Sequence, residues 1–277
     1  MNSNWTKGKG SKSVLIGLAL FLIIIVLLAF PSLFTHYDPL EQTAADRFMG
    51  LSAMHPLGTD HFGRDIFART LYGGRMTLLP SSAALAISVI IGLVIGMIAG
   101  LHKDSIIDVV IMRLVDNLMA LPFMVFAMII AAFFGTGLFH LLVAVLLVWW
   151  VSFARLTRSI VLQKKEELFV YAARVLGAKT STVMGFELLP QVIGPVIVQA
   201  TFELGSLILT IAALSFLGLG SHPPTPEWGS MLSDGRVYFL QAPLILLGPS
   251  LFIIATVFAL NLIGEGLRDR IDPYEGL

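Results

Sequence analysis

Leu78-Leu-Pro-Ser-Ser-Ala-Ala-Leu-Ala-Ile-Ser-Val-Ile-Ile-Gly-Leu-Val-Ile-Gly-Met-Ile-Ala-Gly-Leu101 carries no charged side chain. A bilayer core is crossed by roughly 20 apolar residues in a helix, so this stretch is long enough to span one. At that depth backbone N–H and C=O groups find no water, which restricts a spanning segment to a helix or a closed barrel. Gly92, Gly96 and Gly100 recur every four residues and so share one helix face, where a second backbone can come close. Glycine is common in membrane helices, and one such pair would say little. Three in register favour a packing seam.

Working outward, residues 14–30 form an unbroken apolar run behind Lys7, Lys9 and Lys12. The run exceeds the usual leader core of about 7–15 residues, and Pro31-Ser-Leu33 offers no small-x-small cleavage site, so it is expected to remain as a first span. The Gly/Lys/Ser stretch ahead of it is expected to be disordered. Residues 117–154 are uncharged and long enough for two crossings, with Gly135-Thr-Gly137 and His140 at the turn between them. Residues 192–217 and 242–264 supply the fifth and sixth. Whole-chain composition agrees: 56% of the residues are hydrophobic, 13% are charged and mean hydropathy is +0.86, where a soluble domain carries about 25% charged residues. The expected fold is all-α, a polytopic membrane bundle of six transmembrane helices. Zero net charge offers nothing to nucleic acid, and the lack of cysteine removes disulfides, thiolate metal sites and cysteine nucleophiles.

Six crossings put thirteen Lys and Arg on the side of both termini and five (Arg47, Arg64, Arg69, Arg75, Arg236) on the other. The positive-inside rule then places both termini in the cytoplasm. Residues 32–77 and 218–241 become extracytoplasmic segments, and 155–191 the largest cytoplasmic loop. The chain divides into an amino-terminal span with its extracytoplasmic segment (1–77) and a core of five spans (78–277).

That loop contains Glu167-Leu-Phe-Val-Tyr-Ala-Ala-Arg-Val-Leu-Gly177, with Leu168, Tyr171, Ala172, Val175 and Leu176 at helical spacing and Gly177 where helices commonly stop. A second short helix carries Val183, Met184 and Leu188 toward Pro190. Such an amphipathic pair between spans reads as a docking surface for a cytoplasmic partner, or as an interfacial helix on lipid headgroups. Periodicity does not separate the two.

The loop resembles the coupling segment of ATP-binding-cassette import permeases: Glu-Ala-Ala, three residues, Gly, nine residues, then Ile-x-Leu-Pro. Ala172, Ala173, Gly177, Leu189 and Pro190 fit at the right spacing, while Tyr171 and Glu187 stand where Glu and Ile are usual. His55-Pro-Leu-Gly-Thr-Asp-His-Phe-Gly-Arg-Asp65 is similar to the signature ahead of the second span in peptide and nickel permeases. Within it the resemblance singles out His55, Gly58, Thr59, Asp60, Gly63, Arg64 and Asp65. Ser215-Phe-Leu-Gly-Leu-Gly220, Glu227-Trp-Gly-Ser-Met-Leu232 and Leu267-Arg-Asp-Arg-Ile-Asp-Pro273 extend the likeness over nearly the whole chain. It implies the type I importer permease fold in the bacterial cytoplasmic (inner) membrane. It also implies a second permease subunit that forms a heterodimer with a homologous partner and works with two cytoplasmic ATPases and an extracytoplasmic substrate-binding protein.

Tyr37-Asp-Pro39, Thr43 to Ser52 and Ile211 look more like nickel permeases than peptide permeases, so nickel or a metal-chelate complex is the favoured cargo and dipeptides or oligopeptides the alternative. The extracytoplasmic histidines and eleven methionines lack ligand spacing; His61 and His222 are the first candidates were metal bound directly. No G-x-x-x-x-G-K-[ST] phosphate loop is present, so ATP and Mg²⁺ are expected on partner subunits, with no cofactor on this chain and no enzyme activity of its own. An intramembrane enzyme would need paired acids, a nucleophile with its base, or H-E-x-x-H within the spans, and none is present. A passive channel would leave the coupling loop without a purpose. Glu203 lies in the middle of the fifth span with Gln199 one turn earlier, and either lines the translocation path or bonds across a helix interface.

Overall fold

A computed structural model describes residues 4–271, with side chains from residue 12 onward. The side chains of Lys7 and Lys9, and the tail residues Asp272 and Pro273, lie outside the described residues. Helix α1 (Asn4–Ala29) leads to an irregular segment, followed by the long α2 (Ile66–Leu101). Then come α3 (Ile106–Met119), α4 (Phe123–Phe134), α5 (Leu138–Val148) and α6 (Trp150–Lys164). Next are α7 (Leu168–Val175), α8 (Thr180–Thr182) and a π-helical stretch, Val183–Leu188, which runs into α9 (Leu189–Phe216). Last are α10 (Trp228–Gly235) and α11 (Leu244–Ile271). Among the described residues the only β pairing is an isolated bridge between Thr59 and Asp65.

Among the described residues five helical stretches are long and apolar enough to cross a membrane, and α3 with α4 makes a sixth only as a broken pair bent by 87°. Two contacts show that the broken pair does cross. Lys165 Nζ donates to Gly100 O at 3.1 Å, so α2 and α6 end on the same face. Gly137 N–H, at the start of α5, donates to Leu219 O at 3.0 Å, just past the end of α9 on the opposite face. The chain must therefore traverse the bundle between Leu101 and Gly137.

This differs from the expected uncharged span starting at 117. The crossing begins at Ile106 and carries Asp108, Arg113 and Asp116. Two of the three charges are matched: Arg158 grips Asp108 through Nε and Nη2 at 2.6 and 2.7 Å, and Arg155 pairs with Asp116. Opposite charges supplied by α6 make this helix compatible with the membrane. Pro122, which lacks an N–H and takes an extended backbone, ends the first half. At the other end of the chain, α1 starts at Asn4 rather than after a disordered stretch. Once nucleated in the apolar run, a helix extends at little cost where no proline stops it.

The glycine seam of α2 packs on α6. A β-carbon at Gly92 would meet Phe153 and the Trp150 carbonyl, one at Gly96 the Ala154 carbonyl and Thr157, and one at Gly100 Val161. Around this crossing the main core gathers Leu85, Met97, Phe153, Val161, Leu207 and Ile211. A second cluster, with Ile24, Leu28, Leu71, Ile208 and Trp228, joins α1, α2, α9, α10 and α11.

Candidate functional site

Three places in the fold concentrate features that close packing alone does not require: the α7–α9 corner, the opposite end where 36–65 meets α10, and a polar patch halfway along α9.

At the corner, α7 ends in a tight turn. Gly177 sits at φ +85°, and Gly177 and Ala178 donate backbone hydrogen bonds to Arg174 and Ala173. Only glycine takes this left-handed geometry without strain. Val170, Val183 and Leu188 turn inward and are fully buried, with Ala173, Ala178, Met184 and Leu189 packed beside them. The outer face is apolar and open: Leu168 is 83% exposed, Tyr171 67%, Leu176 87% and Phe186 78%, with Ala172 and Val175 exposed between them. The second expected helix is not separate, because α8, the π-helical stretch and α9 are continuous. Pro190 explains the wide turn. It has no N–H to offer Phe186 O, and Leu189 N–H reaches five residues back to Met184 O. Movement of this corner would therefore pass directly into the α9 span.

At the opposite end the signature residues form a buried polar knot. His55 Nδ1 lies 2.8 Å from Asp65 Oδ2, whose other oxygen caps α2 by accepting from Ala68 N–H at 2.6 Å. Asp60 Oδ2 accepts from Arg64 Nε at 2.6 Å, with Arg69 Nε at 3.6 Å. Arg69 also donates to the carbonyls of Pro39 and Pro224, tying two segments distant in sequence. Thr59 donates to Asp46 O and accepts from Met49 N–H. Gly58 and Gly63, at φ +75° and +76°, lie against the Met49 and Thr43 carbonyls. All seven of these residues build the knot, and their buried, mutually satisfied groups make it a structural clasp.

Two fully buried residues whose role the sequence left unmarked complete the clasp. Glu227 caps α10 by accepting from Gly229 and Ser230 N–H, each at 2.9 Å, and from Thr77 of α2 at 3.2 Å. Trp228 Nε1 donates to Thr70 O at 2.9 Å. His61 stacks on Tyr238 at 4.6 Å, and burial lowers its pKa below the usual histidine value. Asp234, nearby on α10, is pushed upward by burial. His222 instead bonds Thr136. The two proposed metal candidates thus have separate partners, and among the described residues no three His, Cys, Asp or Glu side chains converge on a metal position.

Halfway along α9, Glu203 is half-buried, and the groups that bear on its charge are Gln199 and the Trp149 indole, neither of them cationic. Trp149 Nε1 is itself buried and makes no hydrogen bond of full geometry.

A family model described as "Binding-protein-dependent transport system inner membrane component" matches residues 92–274. The chain belongs to this family. It is 40% identical to the dipeptide transport system permease protein of Alkalihalophilus pseudofirmus, over 96% of this chain and 87% of that one. To the di/tripeptide transport system permease protein of Pseudomonas aeruginosa it is 39% identical, over 97% and 90%. To the nickel transport system permease protein of Escherichia coli K12 it is also 39% identical, over 92% and 93%. The likeness to importer permeases expected from the α7–α9 corner and the His55–Asp65 signature is thereby established, while relatives of equal identity are named for two kinds of cargo.

Proposed function

We propose that this chain is the half-channel of an ATP-driven importer, pairing with a homologous permease and taking its energy from two ATPases docked at the α7–α9 corner. One observation supports this above the others: four large apolar side chains, Leu168, Tyr171, Leu176 and Phe186, stand exposed on the face that holds most of the Lys and Arg. Apolar patches of this kind mark protein contacts. The positive-inside rule makes that face cytoplasmic, with both termini, and directs the clasp toward an extracytoplasmic binding protein. Ala172, Ala173, Gly177, Leu189 and Pro190 would carry ATPase closure into α9. The cargo is nickel or a metal-chelate complex by the features of Tyr37–Pro39, Thr43–Ser52 and Ile211, with dipeptides or oligopeptides moved by the same mechanism as the alternative.

Co-purification tests the reading. ATPase subunits should copurify with the wild type and be lost with Gly177→Val, which cannot take the φ of the turn. A wild-type permease that retains no ATPase would contradict it, as would an ATPase held equally well by the variant.

A further inference from the structure

Gln199, Glu203, Ser206 and Thr210 are spaced four, three and four residues apart, which sets them on one stripe of α9. Ser206 is exposed, and the other three are half-buried. Thr210 satisfies its hydroxyl on Ser206 O at 2.8 Å, so the stripe needs no second helix for that group. Toward one edge stands Trp149, whose ring packs edge-on against Phe123 at 5.0 Å. Phe123 is the first residue of α4, so this edge adjoins the break in the third crossing. Broken membrane helices commonly sit beside cargo sites near the midplane.

The chemistry of the patch is asymmetric. Its only ionisable group is Glu203, and its neighbours Gln199 and Trp149 bring no positive charge to match it. A carboxylate at this depth is costly unless something cationic or aqueous faces it. Aromatic faces such as those of Trp149 and Phe123 attract cations. The buried Trp149 N–H bears on the Glu203 carboxyl itself and has no other partner, which holds the indole beside the charge.

We infer that Glu203, with Gln199 and Trp149, forms a mid-membrane site for a positively charged group of the cargo. The inference rests on the half-channel reading, and it assigns that passage a charge preference. A peptide amino-terminal ammonium and a divalent nickel ion both supply the required charge. Glu203 is a specificity residue here, contacting cargo in transit, whereas the binding protein acts first.

The test uses the whole importer in proteoliposomes, with one binding protein throughout. Uptake is measured for a radiolabelled dipeptide, the same dipeptide N-acetylated, and nickel chloride. Whichever cationic probe the wild type accumulates identifies the source of the charge. Wild type should favour the free dipeptide, or nickel, over the acetylated dipeptide, and Glu203→Gln should shrink that ratio on the order of tenfold. Glu203→Asp should restore part of it. Because the readout is a ratio within one preparation, differences in assembly cancel. Should Glu203→Gln fail to assemble, Gln199→Leu and Trp149→Phe should lower the same ratio. A ratio unchanged in all three variants overturns the inference, and so does an equal loss for charged and acetylated cargo, which marks a packing role. Failure of the wild type to import any probe with ATP would instead strike the half-channel reading itself.

Discussion

Arg158 holds Asp108 with two hydrogen bonds, from Nε at 2.6 Å and Nη2 at 2.7 Å. The pair joins α3 to α6 a few residues before the chain enters α7, and α6 continues toward the corner where Lys165 caps the end of α2. Removing one partner leaves the other unmatched in a partly buried setting. Arg158→Met should therefore lower stability by about 2–3 kcal/mol, and Asp108→Asn by a similar amount. The double variant should cost less than the sum of the two singles. Thermal unfolding of the detergent-purified permease checks this, and strict additivity would show that the pair does not couple.

The Gly96–Thr157 approach is as specific. A β-carbon at Gly96 would stand 2.6 Å from Thr157 Cβ, whereas one at Gly205 would rest 3.5 Å from Val257 Cγ1. Gly96→Leu should separate α2 from α6 at about 1–3 kcal/mol or more. Gly205→Ala should be neutral or stabilising by up to about 1 kcal/mol, because a helical glycine loses more conformational freedom on folding than alanine. Melting temperatures of the two variants should move in different directions; equal losses would contradict the packing described.

How much of this was legible in the sequence follows the same contrast. The spacing of Gly92, Gly96 and Gly100 announced a seam, since periodicity is local, but which helix fills it is a tertiary fact. The third crossing was misplaced because Asp108 and Asp116 read as solvent-facing until Arg158 and Arg155 are brought opposite them. Leu168, Tyr171, Ala172, Val175, Leu176 and Gly177 marked α7 and its end, but the face they share is the exposed one, and Val170, which the spacing did not single out, is the residue that turns inward. The fusion of the second helix into α9 was hidden because Pro190 reads as a stop, although a π-helical turn absorbs it. Glu227 stood out in the sequence only as part of the Glu227–Leu232 likeness, and only the fold reveals that it caps α10 and accepts from Thr77.

His61 sets a pH dependence on the clasp. Burial holds its folded-state pKa below the ordinary histidine value of about 6.5, with Arg64 and Arg69 acting in the same direction and Asp60 and Asp234 against. The unfolded state therefore takes up the proton first, and stability contributed by neutral His61 is lost as pH falls through about 6.5. Asp234 works in the opposite sense: its raised pKa favours the fold as pH falls toward the ordinary aspartate range. His61→Phe keeps a ring against Tyr238 and removes the titration. The drop in melting temperature between about pH 7.5 and 5.5 should shrink in this variant; an identical drop would assign the dependence to other groups.

Direction of energy use tests the importer reading most directly. In proteoliposomes holding the full complex, radiolabelled nickel or dipeptide should accumulate against its gradient when ATP is supplied on the α7–α9 face and the binding protein on the clasp face. Reversing the two sides should abolish accumulation. Equilibration without ATP, or accumulation with ATP supplied on the clasp face, would contradict it.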